Sequence, residues 1–266
     1  MTPETHAPTD TLLVLTQNAW GQAPGWERRK ARLVRKIAEL RPHVVGLQEV
    51  HAPSAATGER SQAHEIAEMV GGYDTYFAPG RVRGSGACEG VAVLCRCDVR
   101  EHSVESLTLD RSDRWDGESQ RIVLCVTIEL PVGTVDVFVT HLSLSERARR
   151  RTMQELLRFV IRERDRSKSR AAVLMGDLNA HPDEWALGAL TRPDAEGGPW
   201  RDAWRDQHGP RARGGTWPAF LPLRRLDYIF VQPGAAWQIE SCDRIPFSGS
   251  DHLGVLGRLR LRTGAT

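Results

Sequence analysis

Asparagine is nearly absent from this chain of 266 residues, in which only Asn18 and Asn179 occur. Asn18 directly follows the strand-like run LLVLTQ, and Asn179 ends the segment AAVLMGDLN. Chance is a weak explanation for a rare residue that occurs twice in the same setting. Both asparagines are therefore candidate functional residues.

Lysine is also scarce, since only three of the 36 basic residues are lysine and the others are arginine. This bias reflects coding composition, although arginine also suits bidentate contacts to phosphate. The formal net charge of +2 argues against a protein that mainly grips long nucleic acid by electrostatics. The net charge does not argue against a local basic groove on the surface.

Signals for export and for membrane insertion are missing. The N-terminal segment MTPETHAPTD has neither a basic region nor an apolar core, so no signal peptide is expected. No apolar run approaches the ~18 residues of a membrane span. The five cysteines are an odd number without framework spacing, which favours reduced thiols. We expect a cytoplasmic monomer.

Two common motifs of hydrolases are absent. The sequence has no HExxH and no Cys/His cluster, which makes zinc a poor choice of metal. It also has no GxxxxGK[ST], and the glycine-rich segment GRVRGSGACEG has no lysine to hold a triphosphate. These absences argue against a zinc protease and against an NTPase.

Strand-like runs outnumber helices in this chain. Many strands with fewer helices predict two sheets packed face to face with helices outside, in one α/β (α+β) domain. We expect a disordered tail at residues 1–10 and a single domain at residues 11–262. The predicted strands are 11–17, 43–48, 74–78, 90–96, 99–108, 121–130, 134–140, 171–176, 225–231, 236–242 and 252–261.

Two segments have the period of an amphipathic helix, at residues 26–42 and 146–166. Arg41-Pro42 should end the first. The second is dense in arginine, but its charges lie opposite an apolar stripe, which favours a solvated surface over a nucleic-acid arm. The predicted apolar faces are Leu33, Val34, Ile37 and Ala38 in the first helix, and Met153, Leu156, Leu157, Val160 and Ile161 in the second.

Long polar segments rich in Gly, Pro and charge separate several of these elements. They are long for simple connections, so we expect functional loops. The predicted loops are residues 51–60, 79–89, 110–119 and 192–219.

Acids, amides and histidines recur at the ends of the strand-like runs. Some follow a run and others precede one, and in a two-sheet sandwich such ends can converge on one rim. A hard cation such as Mg²⁺ prefers these oxygen ligands together with substrate phosphate. The pattern therefore favours metal-assisted hydrolysis of a phosphoester at Asn18, Glu49, His141, Asp177, Asn179, Asp227, Asp251 and His252.

Seven short motifs occur in order between residues 16 and 256: TQNAWG, GLQEV, EGVAVLCR, THLSL, MGDLNAHP, RRLDYIF and SDHLGVL. Together they resemble the endonuclease/exonuclease/phosphatase superfamily of DNase I-like metal-dependent hydrolases. The resemblance implies a four-layer αββα sandwich of two mixed sheets, with a catalytic site at one end. It also implies Mg²⁺ as cofactor, with Mn²⁺ as a possible substitute.

The resemblance implies a metal site and a phosphate site. Glu49 is the expected principal metal ligand, with Asn18 and Asp251 close to the metal. Asp177 and Asn179 are expected to position the attacking water and the phosphate, and Asn18 is also expected near the substrate. The number of metal ions stays open.

The resemblance also implies two histidine–carboxylate pairs. His252 resembles the base or phosphate-binding imidazole, oriented by Asp227, and His141 the residue that contacts the phosphate or leaving group. Glu89 resembles the acid that holds His141. Such pairing controls the tautomer and charge of an imidazole. Whether Asp177 or His252 takes the proton of the water stays open.

Two further residues are candidate substrate contacts. Arg121 follows a polar loop. It could bind a phosphate group of the substrate, or it could lie at the edge of a strand without a role in binding. Trp217 could stack on a base or another ring, or pack within its loop. Tyr228 stands where DNase I and the inositol polyphosphate phosphatases have arginine, which argues against those branches.

The leading hypothesis is a magnesium-dependent phosphodiesterase. Its substrate could be DNA or RNA, a lipid headgroup or a small phosphorylated metabolite. A phosphomonoesterase acting on such a metabolite is one alternative. A non-catalytic binding protein that keeps the fold is another, although such relatives usually lose some of the site residues.

Overall fold

The computed structural model describes residues 10–55, 60–117, 119–195, 197–233, 237–246 and 249–262. The predicted N-terminal tail falls on residues outside these ranges, except for Asp10.

All eleven predicted strands are present, with ends that differ by a few residues. A twelfth strand of two residues, β9, was not predicted, because two residues carry no alternating pattern. The strands are β1 (Thr11–Asn18), β2 (Val44–Ala52), β3 (Asp74–Val82), β4 (Cys88–Cys95), β5 (Val99–Ser106), β6 (Ile122–Leu130), β7 (Gly133–His141), β8 (Ala171–Asp177), β9 (Arg201–Asp202), β10 (Asp227–Val231), β11 (Trp237–Ile245) and β12 (Gly254–Leu261).

The strands form two mixed sheets, as expected. The first has six strands in the order β11-β12-β1-β2-β4-β3, and the second has six in the order β5-β6-β7-β8-β10-β9. Each sheet contains one parallel pair near its middle, β1 with β2 and β7 with β8, while its other pairs are antiparallel. The carboxyl ends of a parallel pair lie at the same edge of the sheet, so each sheet presents two strand ends together.

The two predicted helices are present, and three shorter ones were not predicted. One expected core position is wrong: Ala38 is exposed in the first helix, where Leu33 and Ile37 are buried. The shorter helices have six to nine residues, too few for a clear helical period. The helices are α1 (Trp26–Leu40), α2 (Gln62–Val70), α3 (Glu146–Ser167), α4 (Trp185–Thr191) and α5 (Ala203–His208).

Three apolar clusters define the layers. The largest lies between the two sheets and includes Val14 from the first sheet and Val137 from the second. A second cluster joins the outer face of the second sheet to α3 and α4 through residues such as Phe138 and Leu156. A third, which includes Ile37, joins the first sheet to α1 and α2. The order is therefore helix, sheet, sheet, helix.

Residues 51–52 of the first predicted loop belong to the end of β2, and two more of the predicted loops contain regular structure. Residues 79–82 continue β3 and residues 88–89 begin β4, with an irregular register between Pro79 and Arg81. The segment 192–219 contains β9 and α5. In both cases glycine and proline gave the sequence the character of a loop, whereas pairing with neighbouring strands decided the conformation.

All five cysteines are free, and four of them are buried. This agrees with the expectation of reduced thiols. Within the described ranges, no helix is both long and apolar enough to cross a lipid bilayer.

Candidate active site

The parallel pair of the first sheet places Asn18 and Glu49 side by side. Asn18 ends β1 and is the register partner of Gln48 in β2. The pairing of β2 with β4 is irregular between Leu47 and Val50, and Glu49 has a φ of 52°, in the left-handed region. This bulge re-aims the carboxylate, as bulges near active sites commonly do. Nδ2 of Asn18 donates a hydrogen bond of 3.0 Å to Oε1 of Glu49.

The parallel pair of the second sheet contributes His141 and Asp177, which are register partners at the ends of β7 and β8. Nδ2 of Asn18 donates a second hydrogen bond, of 3.1 Å, to Oδ2 of Asp177. The amide oxygen of Asn18 accepts from the backbone N–H of Trp20 at 2.8 Å. The rare asparagine therefore joins the carboxylates of the two sheets.

The second asparagine, Asn179, has a φ of 48° in the left-handed region, which asparagine tolerates better than most residues. Its backbone N–H donates to Oδ1 of Asp177 at 2.9 Å. Its Nδ2 lies 3.0 Å from Nε2 of His141 and 3.0 Å from the carbonyl oxygen of Leu142, to which it donates. Asn179 therefore holds both the carboxylate of Asp177 and the imidazole of His141 in position.

His141 is buried, and burial is the main reason why its pKa lies well below the usual value. The positive charges of Arg121 and His252 act in the same direction. A neutral imidazole can accept a hydrogen bond at Nε2 from the amide of Asn179 if its proton is on Nδ1.

His252 and Asp227 form a buried pair. Nδ1 of His252 lies 2.8 Å from Oδ2 of Asp227, and Nε2 lies 3.8 Å from Oδ2 of Asp177. Burial alone would lower the pKa of His252, but the negative charges of Asp227 and Asp177 outweigh it and raise that pKa to about 10. Ligand atoms of Asp177, Asp227 and His252 lie within 4.8 Å of one another, a spacing that could also hold a metal ion. The short contact between Asp227 and Nδ1 of His252 favours a hydrogen-bonded carboxylate–imidazole pair over a metal site at these three residues.

One cleft of about 660 Å³ collects these side chains. Asn18 and Asp227 lie behind its wall, hydrogen bonded to residues that line it. Nine residues proposed from the sequence line the cleft: Glu49, Glu89, Arg121, His141, Asp177, Asn179, Trp217, Asp251 and His252.

Three carboxylates, those of Glu49, Glu89 and Asp251, line one cleft. Burial is the main cause that raises the pKa of Glu49, and the negative charges of Glu89 and Asp251 raise it further, whereas the hydrogen bond from Asn18 opposes them. This arrangement suits a divalent cation with oxygen ligands.

Arg121 and Trp217 occupy different parts of the wall. Arg121 is half-buried, and its side chain makes no hydrogen bond or ion pair within the described part of the chain. Burial lowers the pKa of its guanidinium. Trp217 donates from Nε1 to Oδ2 of Asp251 at 3.1 Å, and the guanidinium of Arg224 lies 5.8 Å from its ring centre. Trp217 is therefore tied to the cleft, with Arg224 against its ring.

Comparison with known proteins identifies the family. The family model described as "Endonuclease/Exonuclease/phosphatase family" matches residues 15–252. The chain belongs to this family. Members of the endonuclease/exonuclease/phosphatase family are phosphoester hydrolases that generally depend on a divalent metal ion, and the cleft described above lies within the matched region.

Solved structures of the family share the fold. An endonuclease/exonuclease/phosphatase from Beutenbergia cavernae is 26% identical, with a TM-score of 0.75 over 94% of this chain and 72% of that one. The catalytic domain of human nocturnin, with a bound sulfate anion, is 20% identical, with a TM-score of 0.74 over 96% and 97%. The Bacteroides thetaiotaomicron mannosyl-6-phosphatase Bt3783 is 19% identical, with a TM-score of 0.70 over 93% and 99%. The comparison with curated proteins finds no match.

One pairing suggested by the family resemblance is not formed. Within the described ranges, Glu89 makes no hydrogen bond to His141, whose Nε2 lies 3.0 Å from Nδ2 of Asn179. Glu89 lies on the side of the cleft near Glu49, whose pKa its charge raises. Asp227, by contrast, pairs with His252 and not with a neighbouring arginine, since Arg225 forms its ion pair with Asp202.

Tyr228, the residue after Asp227 in β10, points away from the cleft. It is fully buried in the cluster beneath α3 and α4, on the face of β10 opposite to Asp227. Its hydroxyl lies 2.7 Å from the carbonyl oxygen of Ala180 and 2.8 Å from that of Arg225, and its single proton is shared between these two acceptors. Tyr228 therefore supports the loop after Asp177 from behind.

Several residues of the site were not found from the sequence. His181, which no sequence motif singled out, lines the cleft. Arg149 and Glu184 line it as a buried ion pair, with Nε of Arg149 donating to Oε1 at 2.7 Å. Arg29 holds the loop after Asn18 by donating from Nη1 to the carbonyl oxygen of Ala19 at 2.7 Å. Arginine is so common here that only tertiary contacts distinguish these residues.

Proposed function

We propose that this protein is a magnesium-dependent phosphodiesterase. The observation that carries the proposal is the environment of Oδ2 of Asp177. This atom lies 3.1 Å from Nδ2 of Asn18, 3.6 Å from Nε2 of His141 and 3.8 Å from Nε2 of His252. One carboxylate therefore has an amide donor and two imidazoles around it at the wall of the cleft.

Glu49, Asp251 and Glu89 would hold the metal ion. They supply hard carboxylate oxygens, and the mutual repulsion of their charges favours a bound cation. Asn18 fits a supporting role better than that of a ligand, because its Nδ2 faces two carboxylates and its oxygen accepts from Trp20. When bound, Mg²⁺ would offset the negative charge of the phosphate and of the leaving oxygen. Mn²⁺ has the same ligand preference and should substitute.

Asp177 and His252 would handle the attacking water. Their separation of 3.8 Å is too long for a direct hydrogen bond but suits two groups that contact one oxygen atom between them. Asp227 fixes Nδ1 of His252, so Nε2 is the nitrogen that faces Asp177. Because the pKa of His252 is raised to about 10, its Nε2 would donate a hydrogen bond to the water, and the carboxylate of Asp177 would be the proton acceptor.

The phosphate itself would lie between Arg121 and the pair formed by His141 and Asn179. Arg121 has unpaired N–H donors at the cleft, and a guanidinium matches two phosphate oxygens. The Nε2 of a neutral His141 lies beside the amide of Asn179. With its proton on Nε2, a neutral His141 would donate to a phosphoryl or leaving oxygen, and the Asn179 N–H that now faces His141 would donate to the same group.

The test uses bis-p-nitrophenyl phosphate and p-nitrophenyl phosphate as a matched diester and monoester. We expect hydrolysis of the diester with Mg²⁺ or Mn²⁺, loss of activity with EDTA, and slower hydrolysis of the monoester. His252→Ala should lower kcat by on the order of 10²–10⁴, while His102→Ala, on an exposed strand residue, should not change it.

Preference for the monoester would instead make the protein a phosphomonoesterase. Hydrolysis that survives EDTA, or that is unchanged in His252→Ala, would contradict the proposed site. Binding of phosphate without turnover of either ester would indicate a non-catalytic protein. Cleavage of DNA, RNA, lipid and small-metabolite esters then identifies the natural substrate class.

A further inference from the structure

A second pocket of about 440 Å³ adjoins the cleft. The two cavities share His181, which lines both of them. We call the second cavity the arginine pocket, because four arginines line it: Arg205, Arg211, Arg213 and Arg225.

The positive charge of the arginine pocket is only partly neutralised. Arg205 forms an ion pair of 3.3 Å with Asp183, which also lines the pocket. Arg225 forms an ion pair with Asp202, which is also 4.0 Å from Arg205. Within the described ranges, neither of the two remaining arginines, 211 and 213, has an ion pair. Two acids therefore face four arginines, and the pocket favours an anion.

Arg225 provides an independent indication of a ligand. Its side chain is only 3% exposed, yet its Nη1 has no hydrogen-bond partner within the described part of the chain. The other nitrogen, Nη2, donates to Asp202, and the ring of Tyr228 lies 4.4 Å from the guanidinium carbon. A buried donor without an acceptor is costly. Arg225 lines the pocket, and a small shift of its guanidinium towards an anion bound there would supply the missing acceptor.

We propose that the arginine pocket binds a second phosphate group of the substrate. This inference rests on the proposed function of the cleft, which holds the phosphate that is cleaved. The substrate would then carry at least two phosphate groups, joined by a linker that passes His181. Arginine suits this task, since its planar fork matches the geometry of phosphate oxygens.

The experiment uses a series of unbranched alkane-α,ω-bisphosphonates, from propane to octane, and the corresponding alkyl monophosphonates. These compounds are not hydrolysed, and binding to the full-length protein is measured by isothermal titration calorimetry in excess Mg²⁺. A bisphosphonate whose linker matches the distance between the two sites should bind at least about tenfold more tightly than its monophosphonate. Shorter and longer members should lose this gain.

Arg211→Ala/Arg213→Ala tests whether the gain comes from the arginine pocket. Both residues are exposed loop residues, so the fold should survive their replacement. Arg32→Ala/Arg35→Ala is the matched control, because it removes the same charge from the exposed side of α1. We expect the gain to disappear in the first variant and to persist in the second.

Two results would overturn the inference: no bisphosphonate binds more tightly than its monophosphonate, or the gain persists without arginines 211 and 213. If the control variant loses the gain in affinity equally, net charge alone explains the tighter binding, and the inference is overturned as well. Because calorimetry requires no turnover, its outcome is separate from the proposed function. If the protein has no phosphodiesterase activity but shows the length-dependent gain in affinity, the proposed function is refuted and the phosphate site in the arginine pocket is supported.

Discussion

Asp177 and Asp227 lie directly opposite each other in the antiparallel pair of β8 and β10, and both are buried. Two carboxylates in this position repel each other. Burial, followed by the charge of Asp227, raises the pKa of Asp177 to about 7. The imidazole of His252 reduces the repulsion, since Nδ1 contacts Asp227 and Nε2 faces Asp177.

This relationship explains why the site needs several elements of the fold. β8 and β10 bring the two acids together, and the segment before β12 adds the imidazole. Asn18 then joins Asp177 to Glu49 in the other sheet. A change in any one of these residues should therefore alter the charge state of its neighbours as well as the chemistry.

Glu49→Gln should weaken metal binding and leave the metal-free fold intact. Burial raises the pKa of Glu49, which means that the ionised side chain destabilises the metal-free protein. The neutral amide should therefore give an equal or higher Tm without metal. Mg²⁺ should raise the Tm of the wild type but not of the variant, because a ligand stabilises only the state that binds it.

Thermal unfolding with and without Mg²⁺ measures both effects, and Glu39→Gln, on the exposed side of α1, is the control. A Mg²⁺-dependent increase in Tm that is the same in all three proteins would show that Glu49 does not bind the metal.

Arg121→Met should raise KM for a phosphodiester by about ten- to a hundredfold, since hydrogen bonds to a charged group would be lost. The free energy of unfolding should be unchanged or higher, because the guanidinium is half-buried and has no partner in the described part of the chain. Steady-state kinetics and urea denaturation measure the two quantities. Arg35→Met provides the control, and an unchanged KM in Arg121→Met would remove Arg121 from the phosphate site.

His141 should make the metal-free protein less stable as the pH falls below 6.5. Burial lowers the pKa of this imidazole well below 6.5, so in that range the unfolded chain binds a proton that the folded protein does not. Each pH unit below 6.5 should therefore cost up to about 1.4 kcal/mol of the free energy of unfolding.

The measurement compares urea denaturation of the wild type and His141→Gln between pH 5 and pH 8. The difference in the free energy of unfolding between the two proteins should be constant above pH 6.5. Below pH 6.5 the wild type should lose stability relative to His141→Gln. His102→Gln should parallel the wild type, since His102 is exposed. A difference that does not depend on pH would mean that folded His141 is protonated normally.

Gly176→Ala should destabilise the fold and displace Asp177. Gly176 has a φ of 147°, and an added Cβ would meet the carbonyl oxygen of Thr140 at 2.0 Å. We expect a loss of more than about 2 kcal/mol in the free energy of unfolding, together with reduced activity. Gly188→Ala is the control, because Gly188 lies in α4 with no atom closer than 3.9 Å to its added Cβ.

The control should gain about 0.5–1 kcal/mol from the better helix propensity of alanine. Equilibrium denaturation with urea distinguishes the two variants. Equal stability of Gly176→Ala and the wild type would show that the backbone at the end of β8 adapts freely.

The strands and the longer helices could be predicted because their patterns are local. Alternating or continuous apolar runs marked the eleven longer strands, and the apolar stripes of α1 and α3 marked those helices. The short elements α2, α4, α5 and β9 could not be predicted in this way. They have too few residues for a periodic pattern and depend on packing against neighbours, as α4 does against α3.

The residues of the site could also be found from the sequence, because rare or polar side chains at the ends of apolar runs are conspicuous. Their contacts could not. The sequence suggested that Glu89 holds His141, whereas Asn179 contacts His141 in the structure. The pairing of Asp227 with His252 was implied only by the family resemblance, and it is the position of β10 that brings the two side chains together.

The sequence by itself determined which side chains stand at strand ends, because strand formation and the two-residue alternation follow from neighbours along the chain. Only the tertiary structure decided that Asn18 of one sheet meets Asp177 of the other, and that Arg225 lines a second pocket next to the cleft. These contacts join residues more than a hundred positions apart or from separate elements. Their geometry is set by sheet packing and bulges, which no local pattern records.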